Sequence, residues 1–406
     1  MTERMQRILT ALLPAILAGA MLWPVTGTWF FADDFYWMNY ARHAAEAPSR
    51  ILTHRFLNYY RPVINALFTL ESFWADVAAF PRHLLNLLLQ LVTVALIADW
   101  LRRLTRSPVA AMAAAFLFAV GPVQLDSVIW VSGRTDLVAL CFLMLSLAFM
   151  PRYRPVSTNS APTLSMGSDT ASGAVSLICL ILGLLSKETV VLAPAVIYCT
   201  DCLEYGAGIG FKQWFRLRRL WVLVSVSGLI VHAAVQMSGD ITIAGFETPV
   251  TVTGWLGNLA AGIALTLLQY LPGLKPYSYV EAAGTILIMG LSILWMIRIR
   301  RPDSSRCLPV AAGFFLAGVL MIPSAAIPFP LLPEPHLTFG RFIIIPALGT
   351  ALWFAGIFSG MIGTGTRRSV IRAAGIGIAA AMFAFLAVSG VSGSRLKSSS
   401  AGTRSG

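Results

Sequence analysis

Two adjacent carboxylates, Asp33 and Asp34, are the residues of this chain best suited to acid–base chemistry. They follow the first long apolar stretch, within Phe-Phe-Ala-Asp-Asp-Phe-Tyr-Trp at 30–37. A carboxylate held in such an aromatic setting can act as a general base. The alternative is a solvated turn beside an aromatic belt, as found where a helix leaves a membrane. The local pattern is compatible with both interpretations.

Five further ionisable residues interrupt apolar stretches. The 16 residues that begin with Gly-Pro-Val-Gln-Leu at 121–125 contain Asp126, Arg134 and Asp136. A tight turn between two apolar runs contains Lys187 and Glu188. Arg134 and Asp136 could form an ion pair that fixes helix packing, or they could line a polar cavity. Lys187 could contact a phosphate, or it could form a local ion pair with Glu188 at a hairpin tip.

Arg61, His83 and Arg341 complete the set of candidate site residues. Arg61 lies in Tyr-Arg-Pro, before apolar residues that recur at helical spacing, so we expect 56–75 to form an amphipathic helix on the membrane surface. Arg61 could then reach a lipid phosphate or serve as a surface anchor. Arg341 directly precedes an apolar stretch, where it could clamp a phosphate or mark the interface. His83 belongs to the same segment as Arg61.

The elements that position these residues are predicted to be membrane-spanning helices. The chain of 406 residues is 57% hydrophobic and only 12% charged, whereas a soluble domain carries about 25% charged residues. The net charge of +12 is spread over short basic runs between apolar segments. Such runs mark cytoplasmic loops and do not indicate nucleic-acid binding. The composition therefore predicts an all-α, polytopic transmembrane helical bundle in a lipid bilayer.

Charge placement predicts about eleven spans, although twelve fit the same pattern. Basic runs lie inside, so the N-terminus is cytoplasmic and the long loops 31–83 and 238–280 are external, the first of them carrying juxtamembrane helices. The polar, Pro-Gly-terminated segment 255–272 is expected to be re-entrant or interfacial. The predicted spans are 8–30, 84–101, 108–124, 128–150, 173–186, 189–203, 221–237, 281–297, 308–326, 342–362 and 373–392.

These spans form one predicted domain, 1–392, followed by a disordered tail, 393–406. The segment 151–172 is rich in Ser, Thr, Pro and Gly and is predicted to be a flexible cytoplasmic linker. This linker is expected to separate the helices before it from those after it. The cysteines are scattered and imply no disulfide framework.

Several short motifs occur in an order that resembles a known family. They resemble the fold-C (GT-C) membrane glycosyltransferases, most closely the bacterial relatives of the transmembrane-and-tetratricopeptide-repeat protein O-mannosyltransferases, without the repeat domain. The motifs are Asp33-Asp, Tyr60-Arg-Pro-Val, His83-Leu-Leu-Asn-Leu-Leu-Leu, Gly121-Pro-x-x-x-Asp-Ser-Val, Gly133-Arg-Thr-Asp-Leu, Leu185-Ser-Lys-Glu-Thr and Gly340-Arg-Phe-Ile-Ile-Ile-Pro-Ala-Leu-Gly. The chain departs from the family pattern at Gln124, Asp126 and Gly340, where His, Glu and Glu are usual.

The resemblance implies transfer of a sugar, with inversion, from a polyprenyl-phosphate donor to a hydroxyl of an acceptor protein or glycan. By position, Asp33 matches the family's external acidic residue best and Asp34 second, and Asp126 matches a further acidic site. Lys187, Glu188 and Arg341 match positions near the donor phosphate. Arg61 is assigned to the phosphate from its own sequence context. Supporting roles are assigned to Glu188, Arg134, Asp136 and His83.

The expected location is a bacterial inner membrane, with the active site on the external face. No cofactor is required by the sequence, although Asp33, Asp34 and Asp126 offer oxygen ligands that suit Mg²⁺ or Mn²⁺. Two other functions use the same residues: a transporter or flippase of a lipid-linked saccharide, and a non-catalytic membrane scaffold. Neutralising Asp33 distinguishes them, because only an enzyme would lose turnover.

Overall fold

A computed structural model describes residues 2–30, 33–55, 59–75, 78–156, 163–166, 170–205, 210–237 and 345–362, together with isolated positions between 309 and 320. The described elements are α1 Glu3–Leu22, α2 Asp34–Glu46, α3 Arg50–Thr53, α4 Pro62–Ala75, α5 Ala79–Thr105, α6 Pro108–Val120, α7 Pro122–Ile129, α8 Arg134–Phe149, β1 Tyr153–Val156, β2 Thr163–Met166, α9 Thr170–Leu184, α10 Ala193–Tyr205, α11 Phe211–Met237 and α12 Ala347–Ile362. Short 3₁₀ helices lie at Trp23–Gly27, Val131–Gly133 and Glu188–Leu192.

Local sequence signals account for the helix ends around α5 and α6. Arg106 adopts a left-handed backbone conformation (φ 52°) and ends α5, and its amide donates to the Arg102 carbonyl. The Ser107 side chain then caps α6 by accepting from the Ala110 amide, and Pro108 occupies the first turn, where no amide hydrogen is needed. The chain therefore reverses direction within three residues.

Four segments of the described chain are long and apolar enough to cross a membrane: Glu3–Gly27, Ala79–Thr105, Val131–Phe149 and Phe211–Val235. Shorter apolar helices occur at Pro108–Val120, Thr170–Leu184 and Ala347–Ser359. The helical architecture agrees with the predicted fold class. The predicted segments 255–272, 281–297 and 373–392 lie outside the described residues, so the count of about eleven spans stays a prediction.

The predicted helix 128–150 is interrupted in the structure. α7 ends at Ile129, a 3₁₀ turn covers Val131–Gly133, and α8 begins at Arg134. The turn packs tightly on α7, because a Cβ atom at Gly133 would lie 2.9 Å from the Ser127 carbonyl oxygen. Only glycine permits this close approach. At this interruption Ser132 contacts Asp33 and Asp34, which follow α1, and Arg134 contacts α4 and α5.

The predicted flexible linker 151–172 contains two short strands. β1 and β2 pair antiparallel, with Tyr153 opposite Met166 and Val156 opposite Thr163. Tyr153 is buried, and its hydroxyl donates to Asp201 over 3.3 Å. In the described part of this segment, Tyr153 thus makes a tertiary contact with α10 that composition alone does not predict.

The two ends of the helical bundle carry different ion pairs. At one end, here called the arginine end, Arg7 of α1 pairs with Asp99 of α5 over 3.0 Å, and Arg103 pairs with Glu204 of α10 over 2.6 Å. α1 and α5 are therefore antiparallel. Asp33 lies beyond the other terminus of α1, so it belongs to the opposite end, here called the carboxylate end.

The arginine end also contains a buried carboxylate with several donors. Asp201 accepts from Arg218 Nε and Nη2 (2.9 and 2.8 Å), from Trp214 Nε1 (3.0 Å) and from Tyr153. Arg218 also donates to the Pro151 carbonyl over 2.8 Å. This cluster joins α10, α11 and β1, and each of the two charged groups has several hydrogen-bond partners within the protein.

The predicted amphipathic helix is present as α4, which begins at Pro62. One face is buried and includes Phe68 and Glu71, whereas Leu70, Phe73 and Trp74 on the other face are each at least 60% exposed. Exposed apolar and aromatic side chains on one face are typical of helices at a membrane interface. α4 therefore fits a position between the bilayer and the carboxylate end.

The arrangement predicts which residues share a side of the membrane. In a background carrying Cys202→Ser and Cys307→Ser, Arg4→Cys and Lys212→Cys should react with a membrane-impermeant maleimide from the same side. Ser49→Cys should react from the opposite side. Labelling of intact cells and of inverted vesicles measures this, and reaction of Ser49→Cys and Lys212→Cys from one side would refute the antiparallel arrangement.

Candidate active site

The two predicted carboxylates converge on one serine. Asp33 Oδ1 accepts from the Ser132 hydroxyl over 2.7 Å, and Asp34 Oδ1 accepts from the Ser132 amide over 2.7 Å. Asp34 is fully buried, whereas Asp33 is partly exposed. The carboxylates thus differ in access to solvent although they are neighbours in sequence. Asp33 is therefore the more accessible of the two carboxylates, and Asp34 accepts from the Ser132 backbone.

A buried charge network lies under this pair. Arg134 is fully buried and donates to Asn86 Oδ1 (2.8 Å), Glu71 Oε2 (2.5 Å) and the Arg82 carbonyl (2.9 Å). Its guanidinium also lies 4.8 Å from the centre of the Phe68 ring. Arg82 Nη1 donates to the same Glu71 oxygen over 2.9 Å. The network joins α4, α5 and α8, and it fixes the helix that starts two residues after Ser132.

The predicted pairing of Arg134 with Asp136 is not observed. The two side chains leave α8 in different directions, as residues two apart on a helix do. Arg134 pairs with Glu71, whereas Asp136 pairs with Lys187 and also accepts from Thr135. Both residues are buried at the carboxylate end, but they belong to separate ion pairs.

Arg61 and Glu188 form a bidentate pair beside Lys187 and Asp136. Arg61 Nη2 lies 2.9 Å from both carboxylate oxygens of Glu188, and Arg61 Nε lies 3.2 Å from one of them. The backbone reinforces the contact, since the Val63 amide donates to the Leu185 carbonyl over 3.3 Å. Four predicted site residues from three parts of the chain are thereby brought together.

Mutual stabilisation keeps this pair charged. Burial by itself disfavours the charged form of each side chain, but the Glu188 carboxylate outweighs it and raises the pKa of Arg61 above its usual value. In the same way, burial is outweighed by Arg61 and then by Lys187, and the pKa of Glu188 falls below its usual value. Both groups are therefore ionised at neutral pH.

His83 packs against the segment that leads to Asp33. Its ring stacks on Phe30 with the ring centres 6.2 Å apart, and Nε2 lies 3.4 Å from Thr28 Oγ1. These contacts suit the predicted supporting role, because they hold the chain between α1 and α2. Nearby, Glu71 Oε1, His83 Nδ1 and both amide atoms of Gln124 are buried without a hydrogen bond to a residue that the structure describes. Buried water commonly satisfies such atoms.

Two predicted site residues cannot be placed with the others. The backbone of Asp126 lies in α7 at the carboxylate end, but its side chain is outside the described part of the structure. Arg341 lies wholly outside the described residues. Within the described part, no group of three or more His, Cys, Asp or Glu side chains could hold a metal ion. The Mg²⁺ or Mn²⁺ set of Asp33, Asp34 and Asp126 stays a prediction.

Sequence reasoning missed three residues of this end: Ser132, Glu71 and Arg82. Glu71 carried a usable signal, because it is the one acidic residue in the apolar sequence of α4 and a carboxylate there requires a partner. Arg82 lies against the charge rule for an external loop, which is a weaker signal of the same kind. Ser132 has no signal at all, since its role depends on the turn before α8.

The helices and the buried charges together describe a helical membrane protein with organised polar clusters at both ends. Over 144 residues the chain is 34% identical to Protein O-mannosyl-transferase Tmtc2 of Drosophila melanogaster. The match covers 35% of this chain and only 14% of the fly protein, so it concerns a small part of that longer protein. Neither a protein-family model nor a solved structure matches the chain.

Removing Arg134 should destabilise the protein strongly. Arg134→Met leaves Glu71 and Asn86 buried with fewer donors, which costs about 3–5 kcal/mol of unfolding free energy. Arg102→Met is the matched control, because Arg102 pairs with Asp99 at a partly exposed site and its loss costs about 1 kcal/mol or less. Unfolding by SDS titration in bicelles measures both, and equal losses would contradict the role assigned to Arg134.

Proposed function

We propose that this chain is a membrane glycosyltransferase that moves a sugar from a polyprenyl-phosphate donor to an acceptor hydroxyl, with inversion. The observation that carries the proposal is the pair Asp33–Asp34 on Ser132, in which Asp34 is buried and Asp33 stays accessible. The 34% identity with part of an O-mannosyl-transferase supports the same class of reaction. Of the residues matched by motif order, Asp33, Asp34, Lys187 and Glu188 lie at this end in the part of the chain that the structure describes.

Asp33 acts as the base in the proposed step. Its carboxylate takes the proton of the acceptor hydroxyl while the acceptor oxygen bonds to the anomeric carbon of the sugar. The bond from that carbon to the phosphate oxygen breaks at the same time, and the electron pair leaves with the polyprenyl phosphate. Attack opposite the leaving group gives inversion. The Ser132 hydroxyl donates to Asp33 Oδ1 and thereby orients the carboxylate. Ser132 itself lies in the turn before α8.

The phosphate that leaves needs positive charge, and three residues are proposed to supply it. Arg61 and Lys187 lie together at the carboxylate end, and Arg341 matches a donor-phosphate position by motif order. Guanidinium groups bind phosphate oxygens in a bidentate manner, and preorganised cations stabilise the charge that develops during transfer. The acceptor is a protein or a glycan. The proposed transfer step, with Asp33 as the base, requires no metal ion. Adding a chelator to the transfer assay tests that point.

The carboxylate end is proposed to face the outside of the cell, with the donor entering sideways from the bilayer. The basic runs at 102–106 and 212–219 lie at the arginine end, as the preference of Lys and Arg for cytoplasmic loops requires. The exposed aromatic face of α4 fits the opposite interface. A bacterial inner membrane suits this arrangement.

Asp33→Asn should abolish sugar transfer while Asp34→Asn should preserve most of it. Asn cannot take a proton, so the loss of a general base costs about 10²–10⁴ in turnover. At position 34 an amide oxygen can still accept from the Ser132 backbone, so activity should stay within about tenfold of wild type. The assay is transfer from a panel of radiolabelled polyprenyl-phosphate sugars by the full chain in liposomes.

Equal melting temperatures of the two variants and the wild type serve as the folding control. Full activity of Asp33→Asn beside an active wild type would exclude Asp33 as the base. Lipid movement without transfer, unchanged in Asp33→Asn, would point to a flippase and overturn the proposal.

Ser132→Ala should lower kcat with little change in the KM for the donor. The hydroxyl orients Asp33 but lies outside the proposed phosphate contacts, so only the step that uses the base should slow, by about tenfold. Ser132→Thr keeps a hydroxyl and should restore part of the rate. Steady-state kinetics measure both parameters, and a rise in KM alone would assign Ser132 to donor binding instead.

A further inference from the structure

The bidentate pair of Arg61 and Glu188 occupies the positions that an anionic ligand would take. We propose that Glu188 is a displaceable counter-anion that fills a phosphate site on Arg61 and Lys187 until the phosphate of the lipid carrier replaces it. The inference rests on the proposed function, since it assigns the ligand chemistry of that same end. It predicts that Glu188 weakens phosphate binding, although its position beside two cations suggests a simple structural role.

The geometry of the pair matches phosphate recognition. Arg61 directs Nε and Nη2 at two oxygens of Glu188 over 2.9–3.2 Å, which is the arrangement by which arginine also binds phosphate oxygens. Its guanidinium lies 4.5 Å from the centre of the Tyr59 ring, which keeps it in place when its partner leaves. A carboxylate and a phosphate therefore compete for the same two donors, Nε and Nη2 of Arg61.

Exposure identifies Glu188 as the member that can move. The side chains of Lys187 and Asp136 are 3% and 2% exposed, and that of Arg61 is 10% exposed, whereas that of Glu188 is 23% exposed. Asp136 is held in α8, but Glu188 begins a 3₁₀ helix at a chain turn. Rotation of Glu188 toward solvent would release Arg61 without leaving a buried carboxylate unpaired.

The charge balance supports displacement over simple addition. Arg61 and Lys187 balance Glu188 and Asp136, so the four side chains have no net charge. A phosphate added to the intact set would meet Glu188 as a neighbouring like charge, whereas exchange for Glu188 restores the balance. When an internal competitor closes the site in some molecules, the apparent Kd of a ligand rises. It equals the Kd of the open site divided by the fraction of molecules in which the site is open.

Binding of a short-chain prenyl phosphate to the full chain in detergent tests the proposal. Glu188→Gln removes the competing charge but keeps the shape, so the apparent Kd should fall about tenfold or more, since a charged bidentate pair is lost as competitor. Glu204→Gln is the matched control, because Glu204 pairs with Arg103 at the arginine end, and its Kd should equal that of wild type. Isothermal titration calorimetry measures all three proteins. The same ratio for inorganic phosphate, at weaker affinity, supports a site that recognises the phosphate group itself.

Unchanged or weaker binding by Glu188→Gln overturns the proposal. If that variant does not fold, Glu188→Asp decides, because its shorter side chain loosens the bidentate pair while keeping the charge, and an unchanged Kd again overturns the proposal. Sugar transfer by wild type distinguishes failure of the role assigned to Glu188 from failure of the proposed function. Transfer with no tightening in either variant rejects the role of Glu188 alone, whereas absence of prenyl-phosphate binding in every protein rejects the donor class together with it.

Discussion

Burial of charge in an apolar helical bundle is the constraint on which the rest of the structure depends. Arg134 and Glu71 are almost wholly removed from solvent, and an unpaired charge in such a place would be very costly. The pair is therefore surrounded by further donors and acceptors from Arg82 and Asn86, which lie on α5. Because these partners come from α4, α5 and α8, satisfying one charge fixes the mutual position of three helices. The Val131–Gly133 turn, which directly precedes α8, is therefore held in place as well.

The same principle is applied at both ends of the bundle with different results. At the arginine end, Asp201 is surrounded by donors from Arg218, Trp214 and Tyr153 and has no open side. At the carboxylate end, Asp34 is similarly enclosed, but its neighbour Asp33 keeps part of its surface exposed. One end is thus consolidated by its buried carboxylate, whereas the other holds the proposed base on a buried, hydrogen-bonded support. That difference is the physical basis for placing chemistry at the carboxylate end.

Electrostatic neutrality shapes the proposed phosphate side of the same end. Two cations, Arg61 and Lys187, could not stay buried beside each other without acids, and Glu188 and Asp136 supply them. A site proposed to bind an anion at this position can therefore hold an internal counter-anion while it is empty. Glu188 is partly exposed whereas the neighbouring Asp136 is enclosed, and this difference is the basis for proposing Glu188 as the partner that leaves.

The amino-acid sequence by itself determined the helical membrane class, the helix that became α4 and most of the ionisable residues at the carboxylate end. Those features follow from local quantities: apolar length, spacing and the rarity of charge in apolar stretches. The partners were decided only by tertiary structure. Arg134 lies two residues from Asp136 but pairs with Glu71, 63 residues away, and Glu188 finds Arg61 across 127 residues. Sequence spacing reports which face of a helix a side chain occupies. It cannot report which other helix packs on that face, because that depends on the fit of the whole bundle.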